Sequence, residues 1–207
     1  MILPNNWQPR DYQMNAWGAL ERGVKRVLAV WHRRAGKDDM CLHWTATRVV
    51  DRVGNYWHML PLQTQARRAI WDAVNPHTGK RRIDEAFPKE MRRTTRENEM
   101  MIVFVNGSTW QVLGSDNYDS YIGSPPVGIV FSEWALAKPA AWSYVRPILD
   151  ENDGWAFFIT TPRGKNHCYD MLQMANDSDF WFSEVLAATE TSVFDPEVLL
   201  RTRKELR

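Results

Sequence analysis

Residues 27–39, VLAVWHRRAGKDD, constrain the fold more than any other stretch of this chain. An apolar run suited to a buried strand passes through two arginines into Gly36 and Lys37. A helical pattern, MCLHWTATRVV, follows. A strand entering a Gly-Lys turn at a helix N-terminus makes a cradle for a polyphosphate. Unpaired backbone N–H groups point outward there, the helix dipole favours an anion, and the lysine neutralises it. The usual formula is G-x-x-x-x-G-K-S/T, and this sequence meets half of it. Trp31 stands where the first glycine belongs and Asp38 where the hydroxyl residue belongs. An ordinary strand-to-helix connection reads the same way, so the rest of the chain has to decide.

Around that stretch, strand and helix patterns alternate. A short amphipathic helix is expected from Asp11, its N-cap, to Leu20. Strands are expected over 24–32, 55–60, 127–131, 155–160 and 179–186. Helices are expected over 38–52, 64–74, 139–149, 167–175 and 196–206. Residues 100–105 and 109–113 form a hairpin, with Asn106-Gly107 supplying the positive φ of its turn. Residues 75–96 read as a basic, polar connection, either a solvated face or a DNA-phosphate contact. The alternation predicts an α/β fold, a mostly parallel sheet with helices on both faces. Ligands of such sheets sit at the carboxyl ends of the strands. Three chemically suggestive stretches (33–38, 132–133 and 160–163) fall at such ends.

At 207 residues and 44% hydrophobic, the chain suits one domain with a sizeable core. It divides into a lead segment (1–23), a core (24–186) and a C-terminal helix or linker (187–207). No apolar run reaches 18 residues, so no membrane partner is expected. The N-terminus lacks the pattern of a signal peptide. Cys41 and Cys168 are too few for a disulfide framework or a zinc site, which suggests a reduced, intracellular setting. Residues 1–96 hold 18 Lys and Arg against 9 Asp and Glu, while residues 97–207 hold 8 against 16. Either one part meets a polyanion while another holds carboxylates for a metal, or the fold interleaves the halves and cancels the asymmetry.

Lys37 is expected on the β- and γ-phosphates, with Arg33 and Arg34 adding guanidinium contacts and Ala35, Gly36, Asp38 and Asp39 completing the loop. Glu133, directly after an apolar strand, suits the orientation and deprotonation of an attacking water. An Asp normally precedes such a glutamate and helps hold Mg²⁺, but here the position is Ser132. The metal carboxylate is therefore expected to have moved to Asp38, with Ser132 a weaker ligand. The plainer alternative makes Asp38 a helix N-cap. Thr160 and Thr161 are either coupling residues that report the γ-phosphate or ordinary turn residues. Gln8 or Gln13 can read an adenine edge, and Trp7, Tyr12 or Trp31 can face the nucleotide.

Taken in order, WQPRDYQ, WHRRAGKDD, YWHMLPLQTQARRAIW, NGSTWQVLGSDN, GIVFSEWA and FFITTPRGKNH resemble the N-terminal ATPase domain of the large terminase subunit of tailed bacteriophages. The resemblance runs over essentially the whole chain. It implies a P-loop NTPase fold of the ASCE, RecA-like type and hydrolysis of ATP with Mg²⁺. It also implies a homo-oligomeric ring that pumps double-stranded DNA in the host cytoplasm; for the isolated chain a monomer is the alternative. The portal protein and the small terminase subunit would be partners. By position, Lys37 is the phosphate-loop lysine, Glu133 the catalytic glutamate, Thr160-Thr161 the coupling motif and Gln13 or Gln8 the adenine reader; Arg34, from its own place beside the loop, is expected to assist catalysis at the γ-phosphate.

Many relatives carry an arginine where this chain has Ile122. A neighbour's Arg146, Arg163, Arg81 or Arg82 would then complete the site. The family's C-terminal nuclease is not expected in this chain. Two other readings share these features: a fragment of a superfamily-2 helicase-like translocase, and a catalytically degenerate P-loop scaffold that binds DNA or portal.

Overall fold

The computed structural model describes residues 3–121 and 123–205. Ile122 and the last residue of the expected final helix lie outside the described residues. Eight strands form one sheet: β1 (Arg26–Trp31), β2 (Asn55–Leu60), β3 (Arg92–Arg96), β4 (Met101–Phe104), β5 (Thr109–Gly114), β6 (Pro126–Ser132), β7 (Trp155–Thr160) and β8 (Trp181–Leu186). Their order is β3-β4-β5-β2-β6-β7-β1-β8. From β5 to β8 every pairing is parallel, and β3 and β4 add an antiparallel edge. The helices are α1 (Met14–Glu21), α2 (Lys37–Asp51), α3 (Gln63–Ala66), α4 (Arg82–Ala86), α5 (Pro139–Glu151), α6 (His167–Asn176) and α7 (Pro196–Glu205).

All six residues of β1 are buried, because alternate side chains enter two different cores. Val27, Ala29 and Trp31 pack with Trp17 of α1 and Met40 and Trp44 of α2. Leu28 and Val30 pack with Ala141, Val145 and Leu149 of α5 and Cys168 of α6. Each fully buried aliphatic side chain contributes roughly 1.5–3 kcal/mol, so the two-sided burial fixes the register of β1 and hence where the loop after it emerges. The sheet order sets β2, from the basic half of the sequence, between β5 and β6, from the acidic half. The two halves are thus interleaved in space.

Several local expectations need correction. The first helix opens with a 3₁₀ turn, Asp11–Gln13, and Asp11 caps nothing; instead the Gln13 side chain accepts from the Arg10 backbone N–H at 2.9 Å. The segment 75–96 is not a plain connection, since it contains α4 and β3. Its arginines conceal a strand because Arg92 turns its guanidinium inward onto the Ile83 and Phe87 carbonyls and Asp84. The hairpin turn takes positive φ at Gly107 alone (φ 93°). Its three-residue loop, closed by Gly107 N–H to Phe104 C=O at 3.1 Å, follows the type I plus left-handed glycine pattern rather than a two-residue turn.

Candidate active site

β6, β7 and β1 lie side by side and parallel, so their carboxyl ends deliver Ser132-Glu133, Thr160-Thr161 and the loop His32–Gly36 to one edge of the sheet. A cleft of about 470 Å³ opens there. Its walls include Arg33, Arg34, Gly36, Lys37, Asp38, Asp39, Glu133 and Thr161. All three chemical stretches expected at strand ends therefore meet in one place.

Gly36, at φ 69°, caps α2 in the left-handed region that glycine adopts without strain. Lys37 is only 8% exposed. Its ammonium donates to the Trp31 and His32 carbonyls at 3.1 and 3.0 Å and lies 3.5 Å from the Thr161 hydroxyl. Burial lowers the Lys37 pKa, opposed by the charges of Asp38 and Glu133. Trp31, at the place of the missing first glycine, is fully buried core and serves the site through its carbonyl. It does not face a nucleotide.

Asp38 does not act as a helix cap. Its carboxylate sits 3.1 Å from Nε2 of His58 on β2, with Ser132 at the end of β6 close enough to favour its charged form. Burial pushes the Asp38 carboxyl up, but His58, Ser132 and the Lys37 charge outweigh it and hold the pKa below the usual value. His58 was missed by sequence reasoning. The signal available was a histidine within an otherwise apolar strand, NYWHML, and it is fully buried.

Glu133 stands in the left-handed region (φ 51°), uncommon for a residue with a side chain. The next residue holds it there. Trp134 is buried against Phe131 and Phe158, and its carbonyl is bonded by His167 Nε2 at 2.8 Å. Oε2 of Glu133 is buried without a hydrogen-bond partner among the described residues. Burial raises the Glu133 pKa and the Asp38 charge adds to it, against Lys37, Arg163 and Arg33. The Thr160 hydroxyl, fully buried, accepts from the Ala135 N–H and donates to the Thr161 carbonyl, each at 3.2 Å. Thr160 thus ties the turn after Glu133 to Thr161, which borders Lys37.

The adenine-side residues fall elsewhere. Gln13 is 1% exposed, and its amide donates to the Ala35 carbonyl at 2.8 Å while accepting from Arg10 N–H. With both ends engaged inside the protein, it braces the phosphate loop and presents no edge to a base. Gln8 lies outside the cleft, beside Trp7, Trp17 and Arg48. Trp7 stacks on His43 at 4.3 Å and donates to Asp39 at 2.8 Å. Tyr12 bonds the Ala35 carbonyl.

Among the arginines, Arg81 is paired with Asp84 and Glu97. Arg146 lies 3.5 Å from Asp150, beside Lys25 and Gly154 at the opposite ends of the strands. Arg163 is near enough to Glu133 to pull its pKa down. Arg82 lines the cleft of its own chain, as does Arg10.

No family model matches the chain. Its sequence is 25% identical over 184 residues to the large terminase subunit of Thermus phage G20c and 24% identical to that of Thermus virus P23-45. Each alignment covers 81% of this chain and 36% of the relative. The chain thus spans about a third of the length of the curated relatives it matches. Among solved structures, the ATPase domain of the Thermus phage P74-26 large terminase matches with a TM-score of 0.68 at 20% identity, over 97% of this chain and 93% of that one. The large terminase of a thermophilic bacteriophage, in complex with ATP-γ-S, matches at 0.71 and 14% identity, over 95% of this chain and 49% of that one. The UvsW helicase of bacteriophage T4 matches at 0.53 and 15% identity, over 87% and 61%. In sequence this chain is similar to phage large terminase subunits, and its fold is the RecA-like P-loop fold of their ATPase domains.

Proposed function

We propose that the chain is the ATPase motor domain of a viral DNA-packaging terminase large subunit. It hydrolyses ATP with Mg²⁺ and translocates double-stranded DNA into a procapsid. The observation that carries this reading is the convergence of Lys37, Asp38 and Glu133 on one cleft at the ends of adjacent parallel strands. A scaffold with a decayed site has no need of a strained, partnerless buried glutamate facing a buried lysine.

Lys37 leaves its two carbonyls for the β- and γ-phosphates, and Arg33 and Arg34 add guanidinium contacts. Glu133 orients and deprotonates the attacking water. Its raised pKa makes it a stronger base than an exposed carboxylate. Thr160 and Thr161 link the Glu133 turn to the lysine, and so connect the phosphate state to the rest of the sheet. The residues present fit Mg²⁺: Asp38 is held anionic, Ser132 adjoins it, and Glu133 offers an unpartnered oxygen. Among the described residues no group of three His, Cys, Asp or Glu side chains forms a metal cage. Mg²⁺ characteristically binds through one or two carboxylates plus phosphates and water, where it neutralises phosphate charge. Among the described residues no helix is long and apolar enough to cross a membrane. In the assembled motor, a homo-oligomeric ring docked on the portal protein and loaded by the small terminase subunit, a neighbour's Arg146, exposed and away from its own cleft, completes the site.

The test is ATP binding measured calorimetrically with and without Mg²⁺, for the wild type and Asp38→Ala. Binding that tightens with Mg²⁺, and loses that dependence in the variant, is the expected result. Absence of binding in the wild type contradicts the ATPase reading. An unchanged Mg²⁺ dependence in the variant removes Asp38 as the metal ligand.

A further inference from the structure

The cleft that holds Lys37 is lined also by the segment 75–82, which contributes Asn75, Pro76, His77 and Arg82 to its wall. The segment is pinned. Asn75 and Thr78 both donate to the Glu85 carboxylate, at 3.0 and 2.6 Å, and Glu85 is 8% exposed. Asn75 N–H bonds the Lys80 carbonyl at 2.8 Å, and Arg82 N–H bonds the Ala73 carbonyl at 2.9 Å. Four nearby arginines are spent on the protein itself: Arg81 on Asp84 and Glu97, Arg92 on Asp84, Arg93 on the Val105 carbonyl and Arg96 on Glu99. The Arg82 guanidinium, half-buried, has no hydrogen bond or ion pair among the described residues. A rigid loop thus presents one uncommitted guanidinium to a cleft already holding Arg10, Arg33, Arg34 and Lys37.

Charge in the cleft favours an anion. Five cationic side chains line it against Asp38, Asp39 and Glu133, and Asp39 is engaged by Trp7. The Arg10 guanidinium lies against the phosphate loop itself: a Cβ on Gly36 would sit 3.7 Å from its Cζ. Like charges converging on one cleft repel unless an anion lies between them, and a guanidinium matches phosphate oxygens in geometry as well as charge. We propose that Arg82 contacts the phosphate chain of a nucleotide bound in the cleft of its own chain, and does not act on a neighbour's site. The inference rests on the ATP-binding reading and deepens it, by giving the cleft a phosphate contact from a second segment of the chain.

Titration calorimetry on dilute protein tests this with two probes, ATP and inorganic tripolyphosphate. The variants are Arg82→Ala, Arg82→Gln and, as a charge control on the same loop, Lys80→Ala. The expected result is binding weakened about 10- to 100-fold for both probes in both Arg82 variants, the range for a hydrogen bond to a charged group. Lys80→Ala should bind as the wild type does, and thermal melts should stay unchanged because Arg82 has no internal partner to lose. Wild-type affinity in either Arg82 variant overturns the proposal. So does a loss confined to ATP with tripolyphosphate binding intact, which would place Arg82 on the nucleoside. A loss seen only at concentrations where the chain self-associates overturns the assignment to the same chain. Failure of the ATPase reading itself shows separately, as a wild type that binds neither probe.

Discussion

Gln13 donates its amide N–H to the Ala35 carbonyl over 2.8 Å, from a position 1% exposed to solvent. The early glutamine of this chain therefore braces the loop between β1 and α2. Gln13→Ala is expected to weaken ATP and GTP binding alike, by about 3- to 10-fold, the worth of one lost buried hydrogen bond transmitted to the loop. A changed ATP-to-GTP preference at unchanged ATP affinity would return the residue to a base-reading role.

Thr160 joins the two halves of the site, because its one hydroxyl holds both the Ala135 N–H and the Thr161 carbonyl. Thr160→Val keeps the side-chain volume and removes both bonds, leaving a buried N–H unpaired at a cost of about 1–3 kcal/mol. The expected outcome is a lower melting temperature and reduced ATP turnover, with nucleotide affinity nearly intact. Unaltered turnover would make Thr160 a purely structural turn residue.

Asp84 anchors the segment behind Arg82. It accepts from Arg92 at 2.8 Å and from Arg81 at 3.0 Å, and the Arg92 side chain is only 6% exposed. Burial pushes the Asp84 carboxyl up, but the two arginines outweigh it and set the folded pKa below the ordinary 3.8. A depressed folded pKa contributes stability that is fully present above pH 3.8 and is lost as pH falls through the lower folded value. Asp84→Asn should destabilise the chain at neutral pH by about 1–3 kcal/mol. That is less than a broken buried pair usually costs, because Arg92 keeps its two carbonyl acceptors. It should also flatten the acid limb of stability measured by urea unfolding.

Much of this architecture was legible in the sequence, for physical reasons. Residues 155–160 are an apolar run up to Thr160 and residues 56–60 an apolar run broken only by His58, as a strand buried on both faces requires, and the expected bounds coincide with β2 and β7. The placement of the three suggestive stretches was legible too: 33–38, 132–133 and 160–163 were expected at strand ends, and they lie at the carboxyl ends of β1, β6 and β7. What escaped was what depends on long-range contacts. β3 was hidden because its arginines read as a solvated run, and only the long-range contacts of Arg92 with Asp84 and two carbonyls reveal an inward-facing side chain. His58 was hidden because nothing local says that β2 would lie beside β6 and meet Asp38. The roles expected of Gln13, Trp7 and Trp31 failed for the opposite reason. Their chemistry suited a nucleotide, but each is used up by a partner distant in sequence or by the core.

Glu133→Gln, with ATP binding and turnover measured on the same protein, is the decisive test of Glu133 as the residue that activates water for ATP hydrolysis. Binding is expected to persist while turnover falls about 10²- to 10⁴-fold. The wild-type rate should climb with pH above 4.5, as the raised Glu133 pKa is passed, and that limb should vanish in the variant. Wild-type turnover in Glu133→Gln, with the same pH limb, would contradict the claim and move the catalytic base to another residue.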